Sequence, residues 1–538
     1  MSLGAVVPFL TVLSDPPSLM QQSLVRAYAS RFGFTDASQL LLPVTIAFAV
    51  TVLLCALIRV LNLWLSGRLA AAVGSDLSSD AYRRTLYQPY TVHLQRNSAS
   101  VITGITSHIG ATVAAFNALL QLLTALVVAA GLLIGLVLIN WMIALGSAVL
   151  FAFLYCLIAA FTRQELRHNS QMIAAAVRKQ LQALHEGLGA IRDVLLDGNQ
   201  RLYVESYRLT DRYQRRLQAR NQYLAAFPRY TLEAVGLLAI AMLGFCIVSY
   251  EGAGAGVIPL LGVLALGAQR LLPALQQIYN GWAALKGYTA SLAEVVEMLS
   301  QPLPQYVDVV EPLLFRNSLR FEAVHFRYGP DQAEVLHGLD LEINYGDRIG
   351  LIGITGSGKS TTVDLLMGLL EPSAGRLLID GYDLHDPEHP ERLAAWRAAI
   401  SHVPQNIYLT DSSIAENIAR VKMAAEQAQI ASFIEGNPDG YHSFVGERGI
   451  RLSGGQRQRI GIARALYKQA RVLVFDEATS ALDTGTEEAV ISAVEGLTKQ
   501  LTIVMIAHRL STVKHCNRVI RLSNGAVSAD GPPGLLLG

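Results

Sequence analysis

The sequence predicts an α-helical membrane bundle fused to an α/β phosphate-loop domain. Three observations carry that prediction. Apolar runs long enough to cross a bilayer crowd the first 300 residues. A glycine loop, Gly353-Ile354-Thr355-Gly356-Ser357-Gly358-Lys359-Ser360, stands beyond the middle of the chain. An apolar strand ending in two acids, Val472-Leu473-Val474-Phe475-Asp476-Glu477, follows it. A chain of 538 residues exceeds what one core holds, so at least two domains are expected. Hydrophobic residues make up 52% and charged residues only 16%, against about a quarter charged in a soluble domain. The net charge of +1 lacks the basic field of a nucleic-acid binder, so no nucleic-acid partner is expected.

A membrane span needs about 20 apolar residues. Leu40–Leu61, Ala118–Ile139, Trp141–Phe161, Tyr230–Tyr250 and Val257–Ile278 qualify, while Met1–Leu13 amounts to half a span and lacks a basic leader or a cleavage site. With the first span truncated, about six spans per chain are expected. Asn140 alone separates two of the runs, which implies a tight hairpin, and Glu251–Gly256 is a short glycine-rich turn. Between the runs, the segments 62–117 and 162–229 hold the arginines, whereas the two short turns hold no basic residue. The positive-inside rule therefore places both long segments, and the C-terminal half, in the cytoplasm. Both read as helices extending the spans inward, each able to end in a short turn that touches the soluble domain. Residues 19–32 show helical amphipathic spacing suited to a membrane interface.

Three cations stand out at span depth: Arg59, Arg229 and Arg270. A charge there is costly and faces a cavity or a partner unless it snorkels to the interface. Glu233 lies one turn beyond Arg229 and is placed to pair with it. A ring of arginines around a central cavity suits a phosphate or pyrophosphate. Of four cysteines, Cys55, Cys156 and Cys246 lie in apolar runs and Cys516 in the soluble half. None forms a CxxC pair, so they are expected to be small buried residues rather than metal ligands or disulfides.

Pro302, Pro304 and Pro312 punctuate a linker over 301–316, which divides a membrane domain, 1–300, from a soluble domain, 317–538. Leu319–Tyr328 reads as the opening strand, Arg348–Gly353 as the strand feeding the glycine loop, and Lys359–Leu370 as the helix after it. That strand–loop–helix context is what a phosphate loop requires. Its glycines aim backbone N–H groups at phosphates, and the helix N-terminus adds a favourable dipole. Gly353, Thr355, Gly356, Ser357, Gly358, Lys359, Ser360 and Thr361 are therefore expected to hold ATP. Lys359 reaches the β- and γ-phosphates and Ser360 ligates Mg²⁺. Asp476 sits at a strand's C-terminal edge, where such sheets bind ligands, and suits Mg²⁺. Glu477 suits the base that orients the attacking water.

With these residues in place, the second half resembles the nucleotide-binding domain of ABC transporters over its full length. The resemblance implies a role for each matching residue. Tyr328 stacks on adenine. Gln405, in Val403-Pro404-Gln405-Asn406, senses Mg²⁺ and couples to the membrane domain. Ser453, Gly454, Gly455 and Gln456, in Leu452–Gln456, form the signature that closes over a partner's nucleotide. Asp483, in Ser480-Ala481-Leu482-Asp483, crosses the dimer interface, and His508 holds the γ-phosphate. Val445–Gly449 resembles the exporter-type coupling loop. One glycine loop and one signature per chain imply a half-transporter that works as a homodimer, alternating inward and outward states as ATP is bound and hydrolysed.

The membrane half is similar to exporters of the six-span type. Phe227–Glu233, Ala265–Pro273, Val7-Pro8-Phe9 and Pro404–Leu409 resemble bacterial lipid-linked oligosaccharide flippases of the PglK type. That resemblance implies ATP-driven movement of a polyprenyl-pyrophosphate-linked glycan across the bacterial inner membrane. The alternative cargoes are another lipid, a glycolipid, lipid A or a peptide.

Overall fold

The computed structural model describes residues 41–139, 141–251, 257–303, 311–418, 422–476, 485, 501–506, 513–514 and 516–536. The chain divides into two compact units, Arg96–Pro302 with the segment up to Gln88, and Leu303–Gly538 with Pro89–Gln95.

The first unit is helical. Helix α1 (Leu41–Leu86) is followed by α2 (Tyr90–Gln95), α3 (Ser98–Thr103), a π-helical turn (Gly104–His108), α4 (Ile109–Ile139), α5 (Trp141–Gly189), α6 (Ile191–Leu196), α7 (Gln200–Glu251), α8 (Val257–Gly287) and α9 (Thr289–Ser300). Helices of 46, 49 and 52 residues in α1, α5 and α7 are roughly 70–80 Å long, more than twice the hydrocarbon thickness. Each is long enough to cross and to project well beyond, as the basic segments predict. Among the described residues, Leu41–Leu86, Ser98–Val137 and Ala148–Gly189 are long and apolar enough to span. Of the two short turns expected in the basic segments, α2 groups with the second unit and α6 stays in the first. Cys516 is buried as expected, but Cys55 is half-buried and Cys156 is exposed. Both sit on span helices, where lipid rather than protein covers an apolar side chain.

Pro228 lies inside α7. Proline has no N–H to give the carbonyl four residues back, which is that of Leu224. Helix α8 makes up the loss. Tyr279 donates its hydroxyl to Leu224 O at 3.2 Å, and Gln276 donates Nε2 to Ala225 O at 2.8 Å. Tyr155 donates to Gln276 Oε1 at 3.1 Å, and the Thr162 hydroxyl meets that of Tyr279 at 3.0 Å. Around these bonds Phe151, Leu166, Leu232 and Ala283 form the buried core of the bundle. In a hydrocarbon surrounding, such internal satisfaction is obligatory.

The second unit holds two sheets. An antiparallel sheet is ordered β2-β1-β4-β5, from β1 (Ser318–Phe326), β2 (Leu336–Asn344), β4 (Ala374–Ile379) and β5 (Tyr382–Asp383). The second sheet is ordered β10-β9-β3-β8-β7-β6, from β3 (Arg348–Ile352), β6 (Ile400–Val403), β7 (Val472–Asp476), β8 (Thr502–Ile506), β9 (Arg518–Ser523) and β10 (Ala526–Gly531). It is parallel apart from β10. Its central strands are buried almost throughout, which explains their unbroken apolar runs. Helix α10 (Lys359–Leu366) packs into the core with Trp396 of α11 (Glu391–Ala399), whose indole N–H donates to Leu366 O at 2.7 Å. The glycine-loop helix is expected to run to Leu370 but ends at Leu366, because Gly368 takes φ +66° directly behind it. A helical segment follows, with α12 (Ile414–Ile418), α13 (Lys422–Gln427), α14 (Ala431–Glu435) and α15 (Gly454–Tyr467) sharing one apolar cluster.

Candidate functional site

The glycine loop spans the gap between β3 and α10. Gly353 sits at φ +155°, where a Cβ would fall 2.4 Å from Leu522 O and 2.6 Å from Ser357 Oγ. Gly358 sits at φ +98°, where a Cβ would meet Leu336 at 2.7 Å. Only glycine serves at either position. Gly356, at φ +83°, faces open space, and Ile354, Thr355 and Gly356 are exposed at the tip of the loop. Lys359 is 6% exposed, and its ammonium donates to Gly353 O at 2.8 Å and Ile354 O at 3.0 Å. It thus folds back over the loop it serves. Ser357 Oγ is buried without a hydrogen-bond partner among the described groups. Ser360 is exposed at the first turn of α10, while Thr361 and Thr362 are buried. A cradle of left-handed glycines, a buried ammonium and an orphaned hydroxyl fits a polyphosphate.

Tyr328 lies just beyond β1. Its ring packs edge-on against Phe326 at 4.9 Å, and its hydroxyl bonds to Thr361 Oγ1 at 3.0 Å. The aromatic is therefore tied directly to the glycine-loop helix. Gln95 of α2 donates Nε2 to Tyr328 O at 3.2 Å. Asp476 ends β7, half-buried. Asp364 of α10 stands close enough that burial, and then the Asp476 charge, push its carboxyl up to about 6. Sequence reading missed Asp364; the signal was an acid one helical turn after Ser360. Gln405 is exposed just after β6. Ser360 and Asp476 are oxygen donors suited to Mg²⁺.

The signature lies at the start of α15. Ser453 Oγ accepts from Gln456 N at 3.2 Å and Gln456 Oε1 accepts from Ser453 N at 2.8 Å, a reciprocal capping box. Ser453 and Gly454 remain exposed, with Gly455 half-exposed behind them. Just before it, Gly446, Arg448 and Gly449 all have positive φ, at +75°, +51° and +69°, so this segment is tightly folded. Glu477, Asp483 and His508 lie outside the described residues. Sequence reading also missed a network in which exposed Arg464 of α15 binds buried Asn417 of α12 and the carbonyl of Tyr408, downstream of Gln405.

In the membrane unit, Arg59 of α1 and Arg229 of α7 are exposed on their helices. Arg270 is carried by α8, with its side chain outside the described residues. Arg229 and Glu233 form no ion pair among the described residues; both side chains are exposed on α7.

Residues 336–480 match the family described as ABC transporter, and residues 2–255 match the ABC transporter transmembrane region. An ATP-dependent lipid A-core flippase of Chromohalobacter salexigens is 32% identical over 473 residues, covering 86% of this chain and 80% of the relative. The chain belongs to the ABC transporters. A second lipid A-core flippase, from Chromobacterium violaceum, is 32% identical over 492 residues, covering 87% of this chain and 80% of the relative. Among solved structures, a bacterial Atm1-family ABC exporter with ATP bound is similar with a TM-score of 0.80 and 25% identity, covering 99% of this chain and 95% of that one. This ABC transporter is thus a half-transporter of exporter type, with a membrane-embedded helical region and an ATP-binding domain. It hydrolyses ATP and couples the hydrolysis to transport.

Proposed function

We propose that this exporter flips an anionic glycolipid across the bacterial inner membrane as a homodimer, with the ATP-binding domain in the cytoplasm. The observation that carries this reading is the alignment at 32% identity with lipid A-core flippases over 80% of their length, which takes in the membrane region as well as the ATPase. Arg59 and Arg229, exposed on apolar helices, supply cations suited to a phosphorylated sugar head. The polyprenyl-pyrophosphate-linked oligosaccharide reading shares that chemistry, a phosphorylated sugar carried on a lipid, and rests on the resemblance of Phe227–Glu233 and Ala265–Pro273 to flippases of such lipids.

We assign the membrane domain to 1–300, the linker to 301–316 and the ATP-binding domain to 317–538. Gly353–Thr361 cradles the phosphates and Lys359 neutralises them. Tyr328 stacks on the base. Ser360, Asp476 and Gln405 hold Mg²⁺, which when bound draws charge off the β- and γ-phosphates. Glu477 orients the attacking water, His508 holds the γ-phosphate, and the second copy's Ser453–Gln456 closes over it, with Asp483 at the interface.

The test is flipping in proteoliposomes. Fluorescent lipid A and a labelled polyprenyl-pyrophosphate glycan are incorporated separately, each with wild-type protein and with Glu477→Gln. ATP-dependent loss of lipid A from one leaflet, absent in the variant, is the expected result. Movement of the polyprenyl lipid alone selects the second reading. Hydrolysis with neither lipid moved overturns both.

A further inference from the structure

A cavity of about 180 Å³ lies wholly within the first unit, where the ends of α1, α3, the π-helical turn, α5 and α9 converge. Its polar lining is Thr85, Arg96, Ser100, Glu297 and Gln301, beside the Arg178–Glu294 ion pair at 2.7 Å. None of these residues belongs to the nucleotide site or to the three span arginines.

The lining has a definite polarity. The Thr85 hydroxyl spends its proton on Ala81 O at 2.8 Å, and the Ser100 hydroxyl spends its own on Asn97 O at 2.7 Å. Each oxygen thus keeps its lone pairs for another donor. Gln301 Oε1 is buried with no partner among the described groups, while the main-chain carbonyl of the same residue is taken by Arg84 Nη1 at 2.8 Å. An orphaned buried acceptor is costly and marks a missing donor. Arg178 is satisfied by Glu294, but no hydrogen bond or ion pair joins Arg96 to another described residue. The cavity lining therefore includes several open acceptors and a half-exposed guanidinium.

The apolar part of the wall is Val101, Met298 and Gly104. Gly104 opens the π-helical turn, and a Cβ there would fall 2.6 Å from Met298 Sδ. A side chain there would displace the end of Met298. Single π turns inside helices concentrate at functional sites.

We propose that this cavity binds a small zwitterionic amino acid with a short aliphatic side chain, as an effector of the exporter. Its ammonium spends its three N–H donors on Gln301 Oε1 and the two hydroxyl oxygens, with the Glu297 carboxylate among the lining groups as the counter-charge. Its carboxylate pairs with Arg96, and its side chain lies on Val101 and Met298. The volume equals that of about six waters, which suits such a molecule. Because the walls come from five elements, an occupant ties them together and so favours whichever transport state keeps them converged.

The test uses the full-length protein in detergent or nanodiscs. Thermal unfolding and titration calorimetry are run with L-valine and L-threonine, and with betaine, which keeps both charges but has no N–H donors. A saturable rise in melting temperature with the two amino acids and none with betaine is expected. Binding about tenfold weaker is expected in Arg96→Gln and in Gln301→Leu. Gln301→Leu removes the orphaned acceptor, so its unliganded melting temperature should hold or rise, which separates lost binding from lost folding. Absence of a saturable response to either amino acid, or an equal response in the variants or to betaine, overturns the proposal.

Discussion

The Tyr279 hydroxyl lies 3.2 Å from the Leu224 carbonyl, the group that Pro228 leaves without its helical donor. A break in one membrane helix is thus repaired by a side chain of the next, one residue before Arg229. Tyr279→Phe should strand that carbonyl and cost about 1–3 kcal/mol. Adding Pro228→Ala restores a backbone N–H and should recover part of the loss. Melting temperatures of wild type, the two single variants and the double variant close the cycle. Strict additivity would show that the two residues do not compensate each other.

Arg464 donates Nη2 to Asn417 Oδ1 at 2.8 Å, Nε to Asn417 O at 2.9 Å and Nη1 to Tyr408 O at 3.1 Å. It therefore clasps the segment after Gln405 to the signature helix. Arg464→Leu should destabilise the domain by about 2 kcal/mol and lower ATP turnover more than ATP affinity. Unchanged turnover with intact folding would remove this link from the coupling route.

Tyr328 carries both a stacking face and a hydroxyl held by Thr361. Tyr328→Phe keeps the face and should raise the KM for ATP about two- to threefold, whereas Tyr328→Ala should raise it about tenfold. Equal effects from both would assign the role to the hydroxyl. Steady-state ATPase assays decide between them.

Glu477→Gln should lower hydrolysis by at least about a hundredfold while leaving ATP binding within about twofold of wild type. A matching loss of binding, measured with a fluorescent ATP analogue, would assign Glu477 a structural role instead.

Burial lowers His385 below its ordinary value of 6.5, against the charges of Glu371 and Asp383. This histidine therefore resists protonation in the folded chain and accepts it on unfolding. Its contribution to stability is complete above about pH 6.5 and is lost as pH falls through the lowered folded value. The melting temperature should fall between about pH 7 and pH 5, less steeply in His385→Leu. A flat profile for wild type would refute the assignment.

What the sequence revealed divides along the range of the interactions. The glycine loop was legible because strand, turn and helix are contiguous and each glycine answers a local backbone demand. The long basic helices were legible because bilayer thickness fixes how many residues are apolar. The end of α10 was misplaced by four residues because Leu369 and Leu370 continue the apolar run after Gly368 has turned the backbone. Asp364 beside Asp476, Arg464 on Asn417 and Tyr279 on Leu224 all join distant stretches, and no spacing rule brings such partners together.

The signature serine is held by its own helix through a lone pair, since Ser453 Oγ accepts from Gln456 N. Its proton is not needed for that bond. A phosphate oxygen brought up to Ser453 can take this proton while the cap stays whole. If Ser453 grips the second copy's nucleotide as proposed, that bond and the cap of α15 can coexist, and the first turn stays wound through binding and release.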